Sequence, residues 1–376
     1  MKGVSIKYIG RALLIITLIG VTISGLGAYN LYQSLNRVER IDIQRLEQAV
    51  ELPKASASKV FLVFSVGSEG LTEGSVDRTG IGRVRGVMED GLTDSIMLIV
   101  ANPKSKKLGI ISFPRDLWLE SYSTRINEVY KRKGVLELIT ALEGYSGLTI
   151  DHVVKSNFAG FVDIVDLLGG VDVFLETYAR DSKSKLNLTI GCNQLDGKMA
   201  LAFARSRHWQ ISSDNRNWRN DRTSSDFGRI ERQQYILEEL SLKLKNPLML
   251  TKISQILNVA SANIALDTGL SAAEIARWVG SFATGVSSIE KVTIPGVGFT
   301  TSLGASVLSF DEENTKTISL DLYEKVTNND NNELMKDIVT EQTETPEMLS
   351  KEKRVSDQKE FSNQSCANQL KTQGRS

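Results

Sequence analysis

Arginine side chains are concentrated in one stretch of this sequence, at a spacing that suits the binding of an anion. Arg205 and Arg207 stand two positions apart, which puts both guanidinium groups on one side of an extended backbone. Arg229, Arg232 and Gln233 follow at i, i+3 and i+4, so they share one face of a predicted helix. Guanidinium groups that converge near a helix N-terminus favour phosphate oxygens. The stretch therefore predicts a phosphate or pyrophosphate site.

A second charged pair, Arg115 and Asp116, follows an apolar segment that ends at Pro114. Open α/β sheets place their sites at the carboxyl ends of strands, which is where this pair would lie. The planar fork of Arg115 matches phosphate oxygens, and Asp116 can hold a hard cation or accept a proton. A purely structural ion pair is the alternative interpretation.

A third group of charges surrounds a loop rich in Gly, Ser and Arg. Glu69 follows the predicted strand 59–66, Arg83 and Arg85 lie within the loop, and Asp94 directly precedes the next predicted strand. Carboxylates are the ligands that Mg²⁺ and Mn²⁺ prefer, so Glu69 and Asp94 are candidate metal ligands. Solvated loop charges would explain the same residues without a site.

The composition excludes several classes of function. Lys plus Arg and Asp plus Glu both number 45, so the chain lacks the basic excess of a nucleic-acid binder. Its 2 histidines, His152 and His208, exclude a His-rich metal site and leave little room for Ser–His or Cys–His catalysis. The 2 cysteines, Cys192 and Cys366, are too few for a zinc ribbon, although a single bridge between them outside the cytoplasm stays open.

Strand and helix patterns alternate along the chain, which predicts an α/β or α+β domain over residues 59–326. Two of the strands, separated by an Asn-Pro-Lys-Ser turn, are expected to form a hairpin. The predicted strands are 59–66, 95–100, 108–113, 171–174, 289–294 and 306–310, and the predicted helices are 134–143, 157–168, 197–205, 226–246, 249–262, 271–284 and 313–326.

The N-terminus has the pattern of a membrane anchor. Three basic residues within positions 1–11 precede an apolar stretch at 12–29, close to the ~20 residues that a spanning helix needs. The positive-inside rule places residues 1–11 in the cytoplasm and the rest outside. A cleaved signal peptide is the alternative, with the same outcome for the rest of the chain. Residues 30–58 are expected to form a stalk or linker helix, and the polar composition of 327–376 predicts a disordered tail.

An ordered series of motifs resembles the LytR-CpsA-Psr family. The similarity covers about residues 59–326, and the series is far more specific than any single motif in it. The matching segments are Asp94-Ser95-Ile96-Met97-Leu98, Ile111-Ser112-Phe113-Pro114-Arg115-Asp116, Ile150-Asp151-His152, Asn157-Phe158-Ala159-Gly160-Phe161, Leu168-Gly169-Gly170-Val171, Leu195-Asp196-Gly197, Ala200-Leu201, Ala204-Arg205-Ser206-Arg207, Asp226-Phe227-Gly228-Arg229 and Arg232-Gln233-Gln234.

This resemblance implies a single-span protein of the bacterial envelope. Its domain would be an α-β-α sandwich with a mixed central sheet that holds a polyprenyl (pyro)phosphate in an apolar pocket. It would transfer a glycopolymer from that lipid donor to peptidoglycan as a phosphodiester, with a magnesium (or manganese) ion. The implied roles are catalysis for Asp94, Arg115 and Asp116, pyrophosphate binding for Arg83, Arg85, Arg115, Arg205, Arg207, Arg229, Arg232 and Gln233, and metal binding for Glu69 and Asp94.

Two positions depart from the family pattern. Glu69 stands where the family usually has Asp, which lengthens the reach of that ligand by one methylene. Residues 208–224 are a polar insertion, interpreted as a mobile loop that either covers the pocket or binds an unusual glycan. Two other functions remain open: a non-catalytic polyprenyl-phosphate scaffold or envelope regulator, and a lipid pyrophosphatase.

Overall fold

The computed structural model describes residues 33, 37–43, 58–66, 91–244, 255–256, 258–259, 263–282, 285–327 and 366. The predicted anchor at 12–29, the predicted cytoplasmic residues 1–11 and the predicted site residues Glu69, Arg83 and Arg85 lie outside these ranges. So does most of the predicted helix 249–262. Within the described ranges, no helix combines the length and the apolar character that crossing a bilayer requires.

A mixed sheet of 7 strands, in the order β1-β14-β7-β2-β3-β4-β15, forms the centre of the domain. Smaller sheets have the orders β10-β9-β12-β13, β11-β8, β16-β17 and β5-β6. The described strands are β1 (Glu39–Ile41), β2 (Lys59–Val66), β3 (Thr93–Asn102), β4 (Lys107–Phe113), β5 (Trp118–Leu119), β6 (Thr124–Arg125), β7 (His152–Ser156), β8 (Val171–Leu175), β9 (Tyr178–Asp181), β10 (Leu186–Leu188), β11 (Gly191–Leu195), β12 (Gln210–Ser212), β13 (Arg219–Asn220), β14 (Ile264–Asp267), β15 (Ser288–Thr293), β16 (Val297–Thr300) and β17 (Ser306–Ser309).

The pairings make the sheet mixed, as the sequence predicts. β2 with β3 and β3 with β4 are antiparallel, which confirms the expected hairpin. β2 with β7 and β4 with β15 are parallel, and such pairs need crossover connections. The crossover segments supply the helices α1 (Ile126–Lys133), α2 (Val135–Ser146), α3 (Phe158–Leu167), α4 (Gly197–Arg205), α5 (Asp226–Leu244) and α6 (Ala272–Phe282), with a 3₁₀ turn at Glu120–Tyr122. The last helix, α7 (Glu312–Thr327), follows β17.

Helices cover both faces of the central sheet. Alternate residues of β2 (Val60, Leu62 and Phe64) are fully buried in a core shared with α1, α2 and α7. On the other face, the Gln234 side chain of α5 donates to Ser112 Oγ of β4, and Trp278 of α6 packs edge-on against a phenylalanine of β2. Alternate side chains of β2 therefore pack against helices on opposite faces of the sheet.

A second core lies beside the main sheet and supports the arginine-rich stretch. Val173, Phe203, Trp209 and Ile236 are buried together between β8, α4, α5 and the four-stranded sheet. The expected mobile loop at 208–224 is part of this sheet, because β12 pairs with β9 and β13 pairs with β12. Backbone pairing with β9, which local sequence patterns do not show, makes this segment regular.

Two terminal segments also differ from the prediction. Within the predicted linker helix 30–58, Glu39–Ile41 forms a strand that runs parallel to β14, and Arg40 Nη1 donates to Asp267 O. The spacing of apolar residues there fits a helix locally, but the strand adds backbone hydrogen bonds at the open edge of the sheet. In the predicted disordered tail, Cys366 is buried and joined by a disulfide to Cys192 of β11, with a Cα–Cα distance of 5.3 Å.

Candidate active site

The hairpin of β3 and β4 brings two predicted site residues together. Ile96 pairs with Phe113, so the start of β3 and the end of β4 lie at the same edge of the sheet. Asp94 and Arg115 each lie two residues beyond this pair. Arg115 Nη1 donates to Asp94 Oδ1 at 2.7 Å, and both side chains are largely buried.

The turn that follows β4 holds Asp116 at the same edge. Its backbone is fixed on both sides, because Asn127 N donates to Arg115 O and Leu308 N donates to Asp116 O. The Asp116 carboxylate lies 3.9 Å from Arg115 Nε and 3.9 Å from Arg125 Nε. This carboxylate therefore lies between two guanidinium groups, and a quarter of the side chain is solvent-exposed (25%).

Asp226, the first residue of α5, is the centre of the cluster. Its Oδ1 atom lies 2.9 Å from Arg229 Nη2 and 3.9 Å from both Arg115 Nε and Arg207 Nη1. The sequence motif contains Asp226 but does not predict it as a site residue. The available signal was an acid at the first position of a helix that carries arginines, where a negative charge is favoured.

Gly228 lets the start of α5 approach the preceding loop. A Cβ atom at this position would lie 2.0 Å from Thr223 O, which no side chain could tolerate without a backbone shift. The glycine of the Asp226-Phe227-Gly228-Arg229 motif therefore fixes where Asp226 and Arg229 meet the rest of the cluster.

Burial shapes the electrostatics of the Asp226–Arg229 pair. Loss of hydration raises the pKa of the Asp226 carboxyl, although the Arg229 guanidinium opposes this rise. Loss of hydration likewise lowers the pKa of Arg229, against the attraction of Asp226. Among the described residues, Arg115 Nε, Arg229 Nε and Asp226 Oδ2 are buried without a hydrogen-bond partner, and Asp226 Oδ1 has only its ion-pair contacts with the arginines. Buried donors and acceptors of this kind are costly, so the cluster is suited to complete its hydrogen bonds with a ligand.

The structure brings together Asp94, Arg115, Asp116, Arg207 and Arg229, but separates three other predicted ligands from them. Arg205 is exposed, and its guanidinium lies 4.7 Å from the centre of the Phe158 ring. Gln233 Nε2 donates to Ala204 O. Arg232 is discussed next, and Glu69, Arg83 and Arg85 lie outside the described residues.

Arg232, which the helical spacing predicts as a member of the phosphate cage, makes contacts within the protein. It is fully buried, it donates to Ser206 O and Thr223 O, and its guanidinium lies 4.9 Å from the centre of the Trp209 ring. These contacts tie α5 to both ends of the segment 206–223. Helical spacing places Arg229 and Arg232 on one face, but it does not show how deeply each is buried.

Asp181, at the end of β9, holds the backbone that carries Arg207. Its Oδ2 accepts from Ser206 Oγ at 2.6 Å, Arg207 N at 3.0 Å and His208 N at 2.9 Å. Burial opposes ionisation of this carboxyl, but the donors outweigh it and lower the pKa of Asp181. A buried carboxylate that accepts several hydrogen bonds is an efficient anchor for a loop.

We expect Asp181→Asn to lower the free energy of unfolding at pH 7 by about 2–3 kcal/mol, since an amide cannot accept all of these donors. Because the folded-state pKa is depressed, the wild-type carboxylate stabilises the fold above its unfolded pKa, and this contribution is lost as pH falls through the folded value. Unfolding of both proteins between pH 7 and pH 2 tests this. A constant difference between them across that range would contradict it.

One described carboxylate, that of Asp94, suits a magnesium site in which phosphate oxygens and water supply the other ligands. No group of three or more His, Cys, Asp or Glu side chains that could hold a metal occurs among the described residues. Asp94 is bonded to Arg115 through Oδ1, which leaves Oδ2 as a candidate ligand. Mg²⁺ is commonly bound by one or two carboxylates with substrate phosphates and water, so Asp94 suits such a site.

The sequence is similar to a known family and to several known proteins. The LytR_cpsA_psr family model matches residues 71–324. A "Polyisoprenyl-teichoic acid--peptidoglycan teichoic acid transferase TagV" of Bacillus subtilis (strain 168) is 28% identical over 278 residues, which are 69% of this chain and 63% of that protein. The match thus spans less than two thirds of that relative's length. A "Polyisoprenyl-teichoic acid--peptidoglycan teichoic acid transferase TagU" of Bacillus cereus is 28% identical over 295 residues, which are 76% of this chain and 87% of that protein.

A solved structure shows the same fold. The "LytR-Csp2A-Psr enzyme from Actinomyces oris" superposes with a TM-score of 0.54 at 22% sequence identity, over 76% of this chain and 96% of that chain. At this level of identity, the likeness extends to the fold and its mixed central sheet, and not to individual side chains.

Proposed function

Because this chain belongs to the LytR_cpsA_psr family, we propose that it is a glycopolymer–peptidoglycan phosphotransferase of the cell envelope. It takes a glycopolymer from a polyprenyl-(pyro)phosphate carrier and joins it to peptidoglycan through a phosphodiester. The relatives TagV and TagU are named as transferases of polyisoprenyl-linked teichoic acid to peptidoglycan, which supports this class of donor and acceptor.

The convergence of Arg115, Arg207 and Arg229 on Asp226 carries the proposal. Three guanidinium groups lie within 3.9 Å of one carboxylate, which gives a compact set of donors that an anion with several oxygens can bridge. Phosphoryl transfer requires mainly positioning and charge neutralisation from a protein, and arginines supply both. Asp226 keeps the three side chains together when no phosphate binds.

Each charged residue has a role in the proposed reaction. Arg115, Arg207 and Arg229 hold the donor's pyrophosphate and neutralise the charge that develops on the departing polyprenyl phosphate. Asp116 is partly exposed, so it can accept the proton of an acceptor hydroxyl as that oxygen attacks the sugar-proximal phosphorus. Asp94, with Glu69 as a second ligand, would hold Mg²⁺, which supplies further charge neutralisation on the phosphate oxygens.

The proposed location follows from the lipid donor. The prenyl chain lies in a bilayer, so a site that acts on its headgroup must stay near the membrane surface. Residues 12–29 would span the membrane with residues 1–11 in the cytoplasm, and 30–58 would connect the span to the domain outside.

The full-length protein, a lipid-linked donor labelled in its glycan, and purified peptidoglycan test the function. Label bound covalently to peptidoglycan, with release of polyprenyl phosphate, is the expected outcome. Pyrophosphate cleavage that is unaffected by peptidoglycan would identify a hydrolase instead. Tight donor binding without turnover would identify a scaffold, and either result would overturn the proposal.

Removal of divalent cations will suppress the transfer, and added Mg²⁺ will restore it. In Asp94→Asn, the Mg²⁺ concentration for half-maximal rate should rise about tenfold or more, because a neutral amide is a weaker ligand for a hard cation. Asp321→Asn removes an exposed carboxylate paired only with Lys325 in the described structure, and serves as the control. Equal Mg²⁺ requirements for wild type and Asp94→Asn would exclude Asp94 as a ligand.

A further inference from the structure

A polar cleft lies on the four-stranded sheet, between the β9–β10 turn and the insertion 208–224. Its volume is about 360 Å³, within the ~300–1,000 Å³ typical of small-molecule sites. The side chains that matter for its chemistry are Arg180, Lys185, Asn187, Asn215 and Trp218. The reaction proposed above uses none of them.

One wall of the cleft is a fixed aromatic ring. The guanidinium of Arg180 stacks on Trp218, with Cζ 4.1 Å from the ring centre. Arg180 Nε also donates to Gln210 Oε1 at 3.0 Å, which holds the guanidinium in place. Trp218 is only half-buried, so part of the indole remains available to a ligand. An indole held in one orientation is a suitable platform for the apolar face of a pyranose ring.

The loop that carries Asn215 is held by a neighbouring carboxylate. Asp214 accepts hydrogen bonds from Ser212 Oγ and from the Arg216 and Asn217 backbone N–H groups, and its second oxygen accepts from Asn217 Nδ2. These donors, led by Asn217 N–H, lower the pKa of Asp214, so the carboxylate stays ionised at neutral pH. The cleft is therefore preorganised, which reduces the entropic cost of binding.

Two residues on opposite sides of the cleft have left-handed backbone conformations. The φ angles are 56° for Lys185 and 59° for Asn215. Non-glycine residues with positive φ are uncommon, and they occur where the surrounding structure holds them in place. Both residues present exposed side chains that can reach a ligand in the cleft.

The charge of the cleft selects its ligand. Arg180 and Lys185 contribute two positive charges, whereas the carboxylate of Asp181 is buried beneath the cleft and satisfied by the Ser206 hydroxyl and backbone N–H groups. Asn187 and Asn215 add amide groups that can pair with hydroxyl or acetamido groups. We propose that this cleft binds an acidic saccharide, with a sugar ring on Trp218 and its anionic group between Arg180 and Lys185.

One residue of the cleft wall, Asp181, contacts the segment that carries an arginine of the cluster. It binds the backbone of Arg207, whose guanidinium lies 3.9 Å from Asp226. A saccharide held here would lie next to the segment that binds the phosphates. This inference rests on the proposed transferase function, and it assigns the subsite for an acidic glycan of that reaction. Either the acceptor, with its carboxylates, or a phosphate-containing donor polymer has the required chemistry.

Calorimetric titration of the full-length protein with two probes separates these sources. One probe is a disaccharide-peptide fragment of peptidoglycan, and the other is a glycerol phosphate oligomer. We expect one of them to bind and its affinity to fall about tenfold or more in Trp218→Ala and in Lys185→Glu. Lys183→Glu, at an exposed position of the same turn outside the cleft lining, is the charge-matched control and should bind as wild type does.

The same variants measured in the transfer assay give a second readout. If the fragment binds as acceptor, Trp218→Ala and Lys185→Glu should raise the KM for peptidoglycan more than they lower kcat. Absence of binding by both probes, or equal affinity in wild type and both variants, would overturn the proposal. The titration contains no lipid donor, so it measures binding alone. A protein that binds a probe in the titration but transfers no label in the transfer assay would refute the phosphotransferase function and leave the cleft assignment intact.

Discussion

Replacing Arg115 with alanine will lower the rate of glycopolymer transfer by at least about a hundredfold, the usual scale for removal of a group that stabilises transition-state charge. Arg115 is the one described residue that contacts all three carboxylates of the cluster. It donates to Asp94 and lies 3.9 Å from both Asp116 and Asp226. Its loss therefore removes a phosphate ligand. It also removes a positive charge that partly neutralises three carboxylates, and their repulsion then disfavours an anionic donor.

The rate of label transfer at saturating donor measures this effect. Arg132→Ala is the matched control, because Arg132 is an exposed arginine that pairs with Glu128 on α1 and lies away from the cluster. Arg115→Lys should recover only a small part of the rate, since an ammonium group lacks the planar fork. Circular dichroism should show that Arg115→Ala is folded. A folded Arg115→Ala that transfers label at the wild-type rate would exclude the cluster as the active site.

Elements with strong local signals could be predicted from the sequence. The apolar run of β2 and the hairpin of β3 and β4 are specified by continuous apolar residues and a short turn. The helix α4 begins with Asp196 at its N-cap, where the carboxylate accepts from Met199 N, and the prediction gave its bounds as 197–205. In these cases the residues that determine the element lie inside it or next to it.

Elements that depend on distant partners were missed. Glu39–Ile41 is a strand only because β14 offers an unpaired edge more than 200 residues later, and Gln210–Ser212 is a strand only because β9 lies beside it. The position of Cys366 likewise depends on Cys192, 174 residues earlier. Composition and periodicity contain no information about such pairings.

The candidate site also has features that the local sequence predicts and features that depend on distant residues. The sequence predicts Asp94, Arg115, Asp116, Arg207 and Arg229 as site residues, and the fold brings them together. Spacing could not identify Asp226 as their shared counter-ion, because that role depends on arginines from three separate segments. Helical periodicity specifies a face, and it gives no measure of depth within the protein.

Arg232 tests this distinction between face and depth. We expect Arg232→Ala to lower the free energy of unfolding by about 3–5 kcal/mol, because it leaves the buried Ser206 and Thr223 carbonyls without their donor and opens a cavity beside Trp209. Arg232→Met keeps most of the volume and should cost less. Arg205→Ala removes an exposed arginine at the end of α4, and it should change the free energy of unfolding by no more than about 1 kcal/mol.

Thermal unfolding of the full-length protein compares these variants, and a loss of about 3 kcal/mol corresponds to a decrease in Tm of roughly 6–12 °C for a domain of this size. The structural role also predicts that Arg232→Met, once folded, keeps a KM for the lipid donor close to that of wild type, whereas Arg229→Met raises it. An Arg232→Ala protein that unfolds at the wild-type temperature but no longer binds donor would return Arg232 to the phosphate cage.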